Sequence, residues 1–257
     1  MSIQKLFDLT GQTAIVTGGG RGLGRQIALG LAEAGANIVL CSRNLNSCEK
    51  VKQEIIDMGR EAIAFYVDVT KPDTINKLVD ATVTQFGKIT ILVNNSGIGG
   101  RFPAVEMPLE KWQSVIDTNL TGVFLMCQAV GKTMIENGYG KIVNIGSAAG
   151  FKGTEPFWLD NVAYNSSKGA LSILTKDLAV KWGPLGVYVN TVAPGTFPTD
   201  INREKIAKIG ETMLDNIPLR RFGGENDLMG AVLFFASGAS NFCTGQTLPI
   251  DGGLTAK

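Results

Sequence analysis

The sequence predicts an α/β fold: a doubly wound, mostly parallel, seven-stranded sheet with helices on both faces. Three observations carry this. Short apolar, β-branched runs alternate with helical stretches along the whole chain. The runs are continuously apolar rather than alternating, as strands covered on both faces require. A glycine-rich turn joins the first run to the first helix, and right-handed crossovers then wind such a sheet in two directions.

Thr13–Thr17 (TAIVT) is the first strand; the turn and an amphipathic stretch through Ala34 follow it. Asn37–Cys41 (NIVLC) is the second, and Ser47–Met58 reads as a polar helix. Ala62–Val69, Ile89–Asn94, Lys141–Ile145 and Val187–Val192 are further strands. Pro72–Phe86, Pro108–Glu136 and Val162–Trp182 are the helices between them, and helix Glu225–Ala236 precedes a last strand at Gln246–Ile250. The stretch Gly195–Leu219 departs from the pattern: it is long, polar and irregular, with Pro198, Pro218 and a helical pattern at Arg203–Asp215. Its place after a sixth strand predicts a substrate lid at about residues 196–219. No repeat, low-complexity tract or linker divides the chain, so residues 1–257 are expected to form one domain.

Composition narrows the function. Lys+Arg is 24 against Asp+Glu 23, a net charge of +1 that offers no field to nucleic acid or to an anionic membrane. No apolar stretch approaches the roughly 20 residues of a membrane span, and the first residues lack the pattern of a signal peptide. Cys41, Cys48, Cys127 and Cys243 form no C-x-x-C pair, which suits core-filling roles in a reducing cytoplasm. Histidine is absent. Ser-His-Asp and Cys-His nucleophile systems are thereby excluded, as are histidine-rich zinc sites. Acid–base work falls to Tyr, Lys, Asp, Glu or Cys.

The segment Thr17-Gly18-Gly19-Gly20-Arg21-Gly22-Leu23-Gly24 follows a strand and opens a helix. Glycines allow a tight turn and close approach of a pyrophosphate, and the helix start offers free N–H groups. A dinucleotide cofactor is therefore expected on Gly18, Gly20, Arg21, Gly22, Leu23 and Gly24. At the end of the second strand stand Ser42, Arg43 and Asn44, with no carboxylate to hold a free ribose 2′-hydroxyl. A guanidinium grips a 2′-phosphate, and Arg21 adds a second positive charge. NADP(H) is expected over NAD(H).

Tyr164 and Lys168, four apart in a strong helical pattern, share a helix face. An ammonium near 4 Å, worth roughly 4 kcal/mol at an effective dielectric of 20, would bring a phenol from a pKa of about 10 toward neutrality. Ser147 follows the fifth strand at the carboxyl edge of the sheet, where its hydroxyl meets a substrate oxygen.

These motifs together resemble the short-chain dehydrogenase/reductase superfamily in its single-domain branch, a Rossmann-type fold. Asp68-Val69 resembles the family's adenine-contacting dipeptide. Asn94-Asn95-Ser96-Gly97 resembles its N-N-A-G motif, with Ser96 in place of alanine, and Asn119 falls at its helix asparagine. Pro194-Gly195 with Thr199 resembles the motif that holds the nicotinamide carboxamide. The resemblance implies a tetrad of Asn119, Ser147, Tyr164 and Lys168. In it Tyr164 exchanges the proton, Ser147 orients the oxygen, Lys168 tunes the tyrosine and binds the ribose, and Asn119 supports a relay water. Asp68, Val69, Asn95, Ser96, Gly97, Tyr164, Lys168, Pro194, Gly195 and Thr199 would join the turn in holding the cofactor.

The segment from Ser147 to Tyr164 is longer than the family's usual one and includes Phe157, Trp158, Leu159 and Asp160, expected to wall the substrate pocket. Phe157, Trp158 and Phe197 are expected to meet a substrate whose oxygen lies at Ser147 and Tyr164, and Phe151 would likewise suit an apolar chain. Lys205 and Lys208 could meet an anionic group. Similarity is shared between sugar-acid (gluconate-type) dehydrogenases and 3-ketoacyl-thioester reductases; Glu136-Asn137-Gly138 supplies no basic patch for a carrier protein. A non-catalytic NADP(H)-binding redox sensor is the alternative from another class. The family's oligomers imply a homotetramer, with the strand end Leu248-Pro249-Ile250 at the interface.

Overall fold

The computed structural model describes residues 2–199 and 203–256; the side chains at 157, 158, 203–205, 208 and 209 also lie outside the description. The chain opens with a short helix α1 (Ile3–Phe7) and the strand β1 (Thr13–Thr17). Next come α2 (Gly22–Glu33), β2 (Asn37–Ser42), α3 (Leu45–Asp57), β3 (Ala62–Tyr66), α4 (Pro72–Phe86) and β4 (Ile91–Asn94). Helix α5 (Leu109–Ile116) runs through a π-helical turn, Asp117–Thr121, into α6 (Gly122–Glu136), followed by β5 (Gly140–Ile145). The remainder is α7 (Pro156–Leu159), α8 (Val162–Trp182), β6 (Val187–Pro194), α9 (Arg203–Asp215), α10 (Met229–Ala236) and β7 (Thr247–Ile250).

The seven strands form one sheet in the order β3-β2-β1-β4-β5-β6-β7, every pairing parallel. Alternate residues of a strand point to opposite faces, and the core divides accordingly. Ala14, Val16, Ile91 and Val93 pack with α2, α3 and α10 on one face. Ile15, Leu92, Ile142 and Val189 pack with α4, α6 and α8 on the other. The order reverses between β1 and β4, so their carboxyl ends splay apart and leave a crevice.

Several boundaries differ from the sequence reading, and four of them have a visible local cause or context. β3 ends at Tyr66, because the Asp68 carboxylate captures the Thr70 N–H (3.0 Å) and hydroxyl (2.8 Å) and turns the chain out of the ladder. β6 continues through Pro194, sheltered by β7. α10 starts at Met229, since Asp227 bends back to the Gly224 N–H (2.7 Å). The expected helix Pro108–Glu136 is one helical path with a wider turn inside it. No helix among the described residues is long and apolar enough to cross a membrane.

Candidate active site

Along the β1/β4 crevice runs a cleft of about 990 Å³. At one end lies the glycine turn. Gly24 packs so closely on it that a Cβ would come within 2.1 Å of the Gly18 carbonyl, which fixes α2 against β1. Gly22, at φ +52°, sits in the left-handed region, and a Cβ there would project to 3.6 Å from Thr199 across the cleft. The turn thus leaves a cradle that any side chain would fill, at the amino end of α2 where unpaired N–H groups face an anion. Leu23, Gly18 and Gly20 also line it. These residues fit a pyrophosphate-bearing cofactor.

Arg21 and Arg43 are both exposed and both line this end. Arg43 follows β2, in a turn braced by the Ser42 hydroxyl, which donates to the Asn44 carbonyl (2.9 Å) and accepts its N–H (3.1 Å). Asn44 caps α3 by accepting the Ser47 N–H (3.2 Å), and Ser47 itself lines the cleft. Burial pushes the Asp68 carboxyl up, but the Thr70 hydrogen bonds and the charges of Arg43 and Lys71 outweigh it and hold it below its ordinary value. Asp68 and Val69 are on the cleft wall.

The floor is built at the end of β4. The Thr17 hydroxyl accepts the N–H groups of Asn95 (3.0 Å) and Ser96 (2.9 Å), and Asn95 Nδ2 donates to the Thr17 carbonyl (3.0 Å). The β1 and β4 ends are thereby locked together, with Asn95, Ser96 and Gly97 facing the cleft. Asn119 lies beneath them, fully buried in the π-helical turn. Its side chain accepts the Ile98 N–H (2.8 Å) and donates to the Ile98 carbonyl (2.9 Å) and to Ser167 Oγ (3.2 Å). Both amide protons are therefore spent on protein groups, and Asn119 ties the loop after β4 to α8.

Helix α8 enters under an asparagine cap: Asn161 Oδ1 accepts the Tyr164 N–H (3.0 Å). Tyr164 and Lys168 then face the cleft one turn apart, and Ser147, capping a 3-10 turn after β5, comes within hydrogen-bonding reach of the Tyr164 hydroxyl. Lys168 Nζ donates to the Ile145 carbonyl (2.7 Å) and lies 5.8 Å from the Tyr164 ring centroid.

The expected lowering of the tyrosine pKa is not what this geometry gives. Burial pushes the Tyr164 phenol up from its ordinary value, with the Ser147 hydrogen bond pulling back only in part. Burial likewise pushes Lys168 down to about 8. The ammonium proton is directed at a backbone carbonyl rather than at the phenol, and desolvation dominates both groups.

Pro194, Gly195, Thr199 and Phe197 line the far wall, Phe197 buried. Phe151 is exposed and off the cleft lining, so it does not serve the apolar chain expected of it. Phe157 and Trp158, and likewise Lys205 and Lys208, have side chains outside the described residues. Thr17, Ser47 and Asn161 were not singled out from sequence as site residues. An N-cap asparagine three residues before Tyr164 is the signal that marks Asn161.

Residues 12–210 match the family described as short chain dehydrogenase. The chain is 40% identical over 248 residues to a 3-oxoacyl-[acyl-carrier-protein] reductase of Synechocystis, covering 96% of this chain and 98% of that one. It is 38% identical to gluconate 5-dehydrogenase of Gluconobacter oxydans, over 100% of both. Among solved structures, a gluconate 5-dehydrogenase from Burkholderia cenocepacia, in complex with NADP and tartrate, superimposes with a TM-score of 0.94 at 37% identity over 100% of both chains. The chain belongs to the short-chain dehydrogenase family. It is an oxidoreductase of the CH–OH/C=O class.

Proposed function

We propose that the protein interconverts a ketone and a secondary alcohol with NADP(H), with Tyr164 as the acid–base group. The observation that carries this is the meeting of Ser147, Tyr164 and Lys168 on one wall of the cleft that leads to the glycine turn. When bound, the nicotinamide supplies or accepts a hydride. Gly18–Gly24, Asn95–Gly97, Asp68, Val69, Lys168, Pro194, Gly195 and Thr199 would hold the cofactor.

A buried phenol with a raised pKa is protonated at neutral pH, the state that a proton donor to a carbonyl needs. Ser147 orients the substrate oxygen. As Tyr164 gives up its proton, Lys168, still largely protonated below pH 8, stabilises the phenolate. Asn119 acts by fixing the loop over Lys168. Arg43 and Arg21 select the 2′-phosphate, and the NADP complex of the Burkholderia relative supports that choice. All four cysteines are free, which supports a reducing, cytoplasmic setting.

Oxidation of NADPH and of NADH in the presence of a 3-ketoacyl thioester, 5-ketogluconate, an α-diketone and a cyclic ketone tests the reading. Turnover with NADPH is expected. Tight NADPH binding with no turnover on any compound would favour a cofactor-sensing scaffold instead. Arg43→Ala should raise KM for NADPH about tenfold or more, since a hydrogen bond to a charged group is lost, and leave KM for NADH nearly unchanged. Equal effects on both would remove the NADP assignment.

A further inference from the structure

The cleft is chemically divided. Its cofactor end carries Arg21 and Arg43. Beyond Ser147 and Tyr164 the walls turn to hydrocarbon: Leu159, Phe197, Ile206, Met213, Ile217 and Leu254 all face the space. Ile206 and Met213 are seven apart on α9, two turns along one face. Phe197 and Ile217 are buried beside them, so this apolar wall is already formed.

Most polar side chains at this end make hydrogen bonds within the protein; Asn216 donates to the Thr212 carbonyl (3.4 Å), while Thr196 and Glu155 also line the wall. Thr154 donates to the Leu159 carbonyl (2.9 Å) and accepts from Asn165 (2.9 Å). Asn161 is spent on the Tyr164 N–H and the Gly100 carbonyl. Lys152, exposed, donates to the Leu254 carbonyl (3.0 Å), and Glu155 brings the opposite charge to the same wall. Arg101 donates to the Pro156 carbonyl (2.9 Å) and is not part of the cleft lining.

We propose that this end receives an aliphatic chain, so that the substrate is a ketone or secondary alcohol bearing a hydrocarbon tail rather than a polyhydroxylated sugar acid. The inference rests on the reductase reading above for the place of the reacting carbon. A sugar acid would set several hydroxyls and a carboxylate against these six hydrocarbon side chains, and each buried polar group left unpaired weakens binding. A methylene chain meets no such penalty and gains about two- to fourfold in affinity per carbon buried. Four of these six apolar residues, Phe197, Ile206, Met213 and Ile217, come from the stretch that follows β6.

Calorimetric titration of straight-chain 2-alkanones from five to nine carbons, and of 5-ketogluconate, into the NADP⁺-loaded protein reads this without turnover; NADPH oxidation on the same compounds runs beside it. The dissociation constant is expected to tighten about two- to fourfold per methylene, with 5-ketogluconate weaker than 2-heptanone. Met213→Ser should flatten the series, and Ile206→Ser serves as a second probe if that variant fails to fold. A flat series in the wild-type protein, or tighter binding of 5-ketogluconate, would overturn the inference. Chain-length-dependent binding with no reduction of any ketone would uphold the apolar site and instead overturn the reductase reading.

Discussion

Lys141 and Lys168 are both buried lysines pushed down to about 8 by desolvation, yet they sit in different places. Lys168 faces the cleft, where in the proposed mechanism its charge serves the phenol. Lys141 has no such use: it is fully buried, donates to Ser240 Oγ (3.1 Å) and lies 3.7 Å over the Tyr188 ring. Its folded pKa lies below its unfolded one, so below pH 8 both states are protonated and the burial cost is present in full. Between about 8 and 10.5 the folded state sheds its proton first, and the cost is relieved as pH rises. The displacement corresponds to roughly 3 kcal/mol at neutral pH. Lys141→Met should therefore hold or raise Tm at pH 7, as apolar replacement of a buried charge commonly does, and lose that advantage toward pH 10. A loss of Tm at pH 7 that eases toward pH 10 would contradict the sign of the effect. The sequence spacing of Tyr164 and Lys168 showed that they share a face. It could not show the direction of the phenol's shift, because that depends on how much water the fold removes.

A polar row crosses the sheet at the scale of elements. Asn94, Asn144 and Thr191 stand in register on β4, β5 and β6. Asn94 Nδ2 donates to Asn144 Oδ1 (2.9 Å), Asn144 Nδ2 donates to Thr175 Oγ1 on α8 (2.9 Å), and Thr175 and Thr191 share a hydrogen bond of 2.7 Å. The row lies one residue before Ile145, whose carbonyl receives Lys168, so it pins α8 to the sheet just beneath the cleft. Thr175→Val strands the Asn144 amide and the Thr191 hydroxyl and should cost about 1–3 kcal/mol, measured by urea unfolding, while Thr175→Ser should restore most of it. Equal stability of the two variants would remove the row's role. Strands and long helices were legible as continuous apolar runs and helical periods. The short helices α1 and α7 were not, since one-turn helices carry too little pattern of their own and are held by neighbours. The end of β3 was missed because Asp68 and Thr70 capture the backbone there, which hydrophobicity does not record.

At the scale of the molecule, some of the exposed apolar side chains stand on the long helices. Ile173 (64% exposed) and Val180 (77%) are seven apart on α8, and Phe124 (39%) lies on α6. Lone exposed apolar residues are ordinary, but two on one helix face suit a helix packed on a copy of itself. We propose a homotetramer, for which light scattering should return about four times the 27.3 kDa chain; a single-chain mass would rule it out. The doubly wound parallel sheet followed from the alternation of runs, whereas residues that line the cleft from afar, such as Met213 and Ile217, became visible only once the chain was folded. The proposed chemistry turns on Tyr164. Replacing it with phenylalanine removes one hydroxyl at the meeting point of Ser147 and Lys168, and turnover with NADPH should be lost while NADPH binding, followed by fluorescence in the same preparation, persists. Retained turnover would contradict the assignment of the proton to this residue, and with it the reading of the site.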